Sequence, residues 1–239
     1  MNTSMDKYLK NLKNKYPNEY VYSIPISDIT DDFPVLGKIW SDYKEIIKKG
    51  TDMSGQTKFA NELISQYKHL HDFKQEVMTY PDKKKYDDFE VYGTYKYKTY
   101  MPVRFDYNDT WHFINGKYRH HKNGSVYPYY LPIDKNIKLL NNINCEVNGN
   151  FYYQPGGFRE WHTNRINNAG YRIYFISCLE DNKSYFNYIH PNTNKVVNMP
   201  DKNEYANIFE VKQEESSALW HSVYSDTHRF SLAFNIVNM

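Results

Sequence analysis

The pattern of apolar and polar positions changes character near residue 90. From Val35 to Lys49 the apolar residues fall at Val35, Leu36, Ile39, Trp40, Tyr43, Ile46 and Ile47. That is the spacing of a helix with one buried face, and Gly50 stands where such a helix stops. A second stripe, Phe59, Leu63, Ile64, Tyr67, Leu70 and Val77, predicts a helix over 57–78, with Pro81 just beyond it. Ahead of both, residues 17–30 read as an extended segment leading into a turn. The two helices are expected to cover the outer face of one sheet.

After Asp88 the helical period gives way to short alternating runs. Asn-Gly pairs occur at Asn115-Gly116, Asn123-Gly124 and Asn148-Gly149, and Asn-Gly between β-prone runs signals a hairpin. Further strands are predicted at 151–154, 170–179, 185–190, 205–211 and 230–237. Many short strands with turn signals make a sandwich or barrel. There is no internal repeat, low-complexity tract or linker. The expectation is one domain over 1–239, with supporting helices and an N-terminal strand in 1–90 and a β core in 91–239.

Composition narrows this picture. A chain of 239 residues can build one sizeable core without disulfides or a structural metal. Its 25 tyrosines, several of them alternating with polar residues as at Tyr95, Tyr97 and Tyr100, suit half-buried strands. A net charge of +2 is too small to argue for nucleic acid, and the run Lys83-Lys84-Lys85 beside Asp82, Asp87 and Asp88 reads as a solvated loop. No apolar run approaches the ~20 residues that span a membrane, and the N-terminus has no apolar signal-peptide segment. Cys145 and Cys178 form no metal motif. A reduced, cytoplasmic protein is the expectation.

The chemistry gathers in two stretches. One runs Tyr152-Tyr153-Gln154-Pro155-Gly156-Gly157-Phe158-Arg159-Glu160-Trp161-His162-Thr163-Asn164. The other runs Leu219-Trp220-His221-Ser222-Val223-Tyr224-Ser225-Asp226-Thr227-His228-Arg229-Phe230-Ser231. Each places a histidine at a strand edge, 221 − 162 = 59 residues apart. In a jelly roll such histidines can converge from neighbouring strands at the open end of the barrel. Gly156-Gly157 reads as a turn before the first histidine's strand, and Trp161 and Trp220 should point the opposite way, into packing.

These residues resemble the 2-oxoglutarate and Fe(II)-dependent oxygenases, whose core is a double-stranded β-helix. Their pattern is His-x-Asp/Glu, a gap, a second His, then Arg-x-Ser on a strand. This chain supplies His162-Thr163-Asn164, His221 and Arg229-Phe230-Ser231, so the resemblance runs from about residue 150 onward. It implies a mainly β fold with flanking helices around a jelly-roll core. It also implies Fe(II) held by His162, His221 and a third donor, with Arg229 and Ser231 on the distal carboxylate of 2-oxoglutarate. Iron with open positions is suited by two imidazoles and an oxygen donor on one face, and arginine presents a planar fork to a carboxylate. An arginine among Phe230, Leu232 and Phe234 would be costly without a carboxylate partner. The competing account pairs Arg229 with Asp226 or with solvent.

Asn164 departs from the pattern, because the family has a carboxylate there. Asn164 ligates through its amide oxygen, or stays off the metal, or yields to another acid such as Glu160. The stretch from Pro155-Gly156 to His162-Thr163, followed by Arg172, also resembles the aspartyl/asparaginyl β-hydroxylases, which use two histidines alone. That relationship makes Arg172 a second co-substrate contact. Tyr152 and Tyr153 stand near where a prolyl hydroxylase tyrosine touches the co-substrate, a position that a plain core tyrosine fits equally well, and Tyr174 shares the face of Arg172. Halogenation, which some relatives without the acid perform, is the minor option.

What the resemblance implies is oxidative decarboxylation of 2-oxoglutarate, with dioxygen and with ascorbate as an accessory, coupled to hydroxylation of an unactivated C–H bond. The substrate is a protein or a small molecule, by analogy a prolyl or aspartyl/asparaginyl side chain, with Arg159, Arg165 and the aromatic segment 95–130 as candidate contacts. Two rivals stand beside it. One is a catalytically silent jelly roll that binds a metal or ligand, having lost the acidic ligand. The other is a structural jelly roll.

Overall fold

The computed structural model of the chain describes residues 4–49, 73–79, 111–114, 117–120, 139–153, 155–164 and 169–237. In chain order the elements are α1 (Met5–Lys15), β1 (Val21–Pro25), α2 (Ile26–Thr30), α3 (Pro34–Lys49), α4 (Phe73–Met78), β2 (Trp111–Ile114) and β3 (Lys117–His120). Then come β4 (Cys145–Tyr153), β5 (Gly157–His162), β6 (Gly170–Cys178), β7 (Ser184–Ile189), β8 (Val196–Pro200), β9 (Tyr205–Val211), β10 (His221–Ser225) and β11 (Arg229–Val237).

From β4 onward the chain passes back and forth between two antiparallel sheets. The larger has the order β1-β9-β6-β11-β4, the smaller β5-β10-β7-β8. This is the expected double-stranded β-helix, a mainly β fold with flanking helices. Period-2 alternation sorts each strand's residues between its two faces. On the larger sheet Ile173, Phe175, Leu232, Phe234 and Ile236 face outward, into one core with Leu9, Leu36, Ile39, Trp40 and Tyr43 of α1 and α3. The opposite face looks at the smaller sheet. There Tyr153 and Phe209 pack with Phe186, Tyr188 and Val223 from across the gap.

α3 starts at Pro34, a residue suited to a first helical turn because its missing N–H has no partner to lose. α1 is capped by Ser4, whose Oγ accepts the Lys7 amide. The helices do not share a sheet as expected. α1 and α3 cover the larger sheet, while α4 lies against β5 and β10 of the smaller one. The reason is polar: the outer face of the smaller sheet carries Trp161, Asn187, Asn198 and Ser222, which donate to carbonyls at the C-terminal end of α4. Asn187 Nδ2 and Ser222 Oγ reach Val77 O, Asn198 Nδ2 reaches Met78 O, and Trp161 Nε1 reaches Thr79 O at 3.1 Å. Of the helix predicted over 57–78, the part before 73 lies outside the described residues.

The Asn-Gly signals divide. β2 and β3 pair with Ile114 opposite Lys117, on either side of Asn115-Gly116, which itself lies outside the described residues. Asn123-Gly124 lies outside the described residues. Asn148-Gly149 makes no hairpin, being interior to β4. Leu232 opposes Asn150 and Phe234 opposes Val147, so two residues of β4 stand against Ala233 alone. That is a β-bulge, the other use a strand makes of glycine. β1 is the N-terminal strand expected within 17–30, whereas β8 lies where no strand was predicted. Among the described residues no helix is long and apolar enough to cross a membrane.

Candidate metal and co-substrate site

β5 and β10 are antiparallel neighbours in which His162 stands directly opposite His221. Residues opposed in this way share a face, and here it is the inward one, with Tyr188 next in line on β7. The ring centroids are 4.2 Å apart, at 53°. Trp161, one residue away, is fully buried on the outer face, as alternation requires. Gly156 forms the expected turn ahead of β5. Its φ of 84° is left-handed backbone that glycine adopts without strain, and its N–H reaches Ser225 O at 2.7 Å.

His221 is held from several sides. Its Nδ1 lies 3.0 Å from the Leu219 carbonyl. A carbonyl only accepts, so Nδ1 carries the proton and Nε2 presents a lone pair. Phe186 stacks on the ring at 5.2 Å and Phe209 meets it at 4.9 Å. Burial pushes the His221 pKa down to about 3. The Leu219 bond opposes this shift, and the positive charges of Arg172 and Arg159 reinforce it. The imidazole is therefore neutral near pH 7, the form a metal takes.

That shift makes stability depend on pH. Between about 6.5, where a free histidine titrates, and about 3 the unfolded chain binds a proton that folded His221 refuses. The unfolded state gains as pH falls through that window, so stability drops. Melting temperatures measured from pH 7 to 4 are expected to fall in the metal-free protein, and less steeply in His221→Leu. Equal slopes in the two proteins would remove His221 as the cause.

Asn164 completes the cluster. Its Nδ2 is 3.4 Å from His221 Nε2 and 3.5 Å from the Tyr174 hydroxyl. A half turn of the amide presents its oxygen at the same place. Two donors at right angles, each ~2.1 Å from one ion, lie ~3 Å apart, and two such imidazoles have ring centroids ~4.6 Å apart. The distances here are close to both, as holding a divalent ion between His162, His221 and Asn164 would require. Among the described residues no three of His, Cys, Asp and Glu gather around a common point. The Glu160 side chain and Arg165 lie outside the described set.

The opposing sheet carries the other residues singled out from the sequence. Arg229, Ser231, Ala233 and Asn235 of β11 oppose Cys178, Ile176, Tyr174 and Arg172 of β6. Arg229 also opposes Tyr153 of β4. All therefore look inward, and Arg159, opposite Val223 of β10, looks inward from the other side. They are not gathered at one point. Arg172 lies toward His221, while Cys178, beside Arg229, is six residues further along β6, about 20 Å at ~3.3 Å per residue.

Arg229 has a carboxylate partner, and the protein supplies it. Its Nε donates to Asp201 Oδ2 at 2.8 Å, with both side chains buried, and its Cζ lies 5.0 Å from the Tyr153 ring. Burial works against the charge, but the charge and hydrogen bond of Asp201, together with Tyr153 and Cys178, outweigh it and raise the Arg229 pKa further. Asp201 also accepts from Ser184 Oγ at 2.9 Å and Asn207 Nδ2 at 3.0 Å. Asp226, the partner weighed from the sequence, pairs with Lys74 instead. The sequence marks Asp201 only as the residue after Pro200, and no spacing rule points from it to Arg229.

No protein-family model and no curated protein matches the chain by sequence. Solved structures give a distant likeness. An oxidoreductase of the 2OG-Fe(II) oxygenase family from Burkholderia pseudomallei aligns over 43% of this chain at 11% identity and a TM-score of 0.34. The match spans 56% of that protein's length. A prolyl-4-hydroxylase from Pseudomonas putida aligns over 54% of this chain and 71% of its own at 13% identity, TM-score 0.29. A prolyl hydroxylase from Trichoplax adhaerens, solved with a hypoxia inducible factor peptide fragment, covers 98% and 94% at 15% identity, TM-score 0.36. Likenesses this slight do not bear on activity.

Proposed function

We propose that this chain is a 2-oxoglutarate- and Fe(II)-dependent oxygenase that hydroxylates an unactivated C–H bond. One observation carries the reading: two inward imidazoles stand in register on β5 and β10, His221 Nε2 facing the Asn164 amide at 3.4 Å. They look onto a sheet face bearing Arg172, Tyr174, Ser231 and Arg229. Bound iron, with 2-oxoglutarate and dioxygen, supplies the oxidising chemistry. The chain's own work is to hold and enclose. His162, His221 and Asn164 fix the ion. Leu219 fixes the tautomer of His221, as an outer hydrogen bond does for a metal-bound histidine. Phe186 and Phe209 keep water from its ring. Arg229, Ser231 and Tyr153 receive the distal carboxylate of 2-oxoglutarate, while Arg172 and Tyr174 line the end nearer the metal.

In this proposal the substrate is a prolyl or aspartyl/asparaginyl side chain of a protein, reached past Arg159. The setting is cytoplasmic, consistent with two buried free cysteines. The test is release of succinate from 2-oxoglutarate with added Fe(II), in the wild type and in Asn164→Asp. If Asn164 is a ligand, the aspartate is expected to raise Fe(II) affinity about tenfold or more, as a charged donor replaces a neutral one. Unchanged affinity leaves the metal on the two histidines. No turnover together with no 2-oxoglutarate binding overturns the proposal. A second reading, a ligand-binding jelly roll without catalysis, is favoured by the neutral Asn164 and by Asp201 already satisfying Arg229.

A further inference from the structure

Asp201 has no place in the sequence pattern, yet it is 1% exposed and its carboxylate takes three side-chain hydrogen bonds, from Arg229, Ser184 and Asn207. Its backbone is fixed too, because its N–H reaches Ser184 O at 2.8 Å. Arg229 gives Asp201 its Nε at 2.8 Å, so the guanidinium is gripped by one edge. We propose that Asp201 is the resident counter-ion of the Arg229 anion site. It holds the fork in place when no ligand is bound, and it lowers the affinity for an incoming carboxylate by repelling it.

This inference rests on the co-substrate reading and adds a specificity-determining residue to it. The physical case is a competition. A buried arginine without a counter-charge would bind a dicarboxylate tightly, because the ligand would supply the only compensation. With Asp201 in place the pair is already neutral. At an effective dielectric near 20, two carboxylates ~6 Å apart repel by an amount worth roughly a hundredfold in a binding constant. Asparagine at 201 keeps the shape and an acceptor for Nε but removes that repulsion.

The experiment is calorimetric titration of 2-oxoglutarate into the protein with Mn(II), comparing the wild type with Asp201→Asn. The variant is expected to melt at a lower temperature when ligand-free and yet to bind 2-oxoglutarate at least ~tenfold more tightly. A merely structural role predicts weaker or unchanged binding, and either result in a folded variant overturns the inference while leaving the oxygenase reading intact. Should the variant not fold, the wild type carries the test through the 5-methyl ester of 2-oxoglutarate, which lacks the distal charge. An ester affinity within about tenfold of the acid supports the resident counter-ion, since the charge then adds little. A larger preference for the acid overturns it. Absence of any 2-oxoglutarate binding in the wild type overturns both the inference and the reading beneath it.

Discussion

Replacing His221 with alanine is expected to abolish metal binding and with it any 2-oxoglutarate turnover. The residue is one of two imidazoles that meet in register, and its Nε2 is the atom that faces Asn164. With it gone, His162 and an amide remain, too few donors to hold a labile divalent ion. Loss of an outer hydrogen bond to a metal-bound histidine costs about 10–100-fold in affinity, so loss of the histidine itself should exceed that range. The measurement is Mn(II) or Fe(II) affinity, with Val223→Ala as the packing control. Val223 faces the same gap two residues along β10 and is also buried, so its truncation loosens the core without removing a donor. If His221→Ala keeps the wild-type affinity, the metal is not where this geometry puts it.

Replacing Arg229 with methionine is expected to do two things, and the larger is to stability. Arg229 and Asp201 are both buried, and removing one partner leaves an uncompensated charge, at a cost of about 3–5 kcal/mol. Ser184 and Asn207 would still bond to Asp201 but carry no charge to offset it. Urea denaturation should show the loss, and Arg229→Met combined with Asp201→Leu should recover much of it, because the coupled pair is then replaced as a unit. The single variant should also bind 2-oxoglutarate less tightly than the double variant does. A loss of stability below ~1 kcal/mol in the single variant would contradict the buried pair.

Much of the fold could be read because the chain obeys period. Leu36, Ile39, Trp40 and Tyr43 announced α3, and the alternation through Ile173, Phe175, Leu232 and Phe234 announced the central strands of the larger sheet. His162 and His221 could be placed opposite one another because a jelly roll brings equivalent strand edges together. Three features could not be read. Asp201 reaches Arg229 across 28 residues through tertiary packing alone. Asn148-Gly149 has the same composition whether it turns a hairpin or bulges a strand, and the partner strand decides. The site of α4 depends on which sheet offers donors to its carbonyls, a long-range property with no local signature.

The hydrogen bonds to the end of α4 have a mechanical consequence for the histidines. Trp161 and Ser222 are the outward neighbours of His162 and His221, and both are tied to that helix. An apolar contact resists separation but tolerates sliding, whereas a hydrogen bond has direction. Bonds on the outer side of β5 and β10 therefore act as a torsional brake, opposing rotation of each strand about its own axis. A twist of one strand would swing its imidazole out of line with the other. The aim of the two rings across the barrel is thus set partly from behind, by a helix on the outer side of their strands.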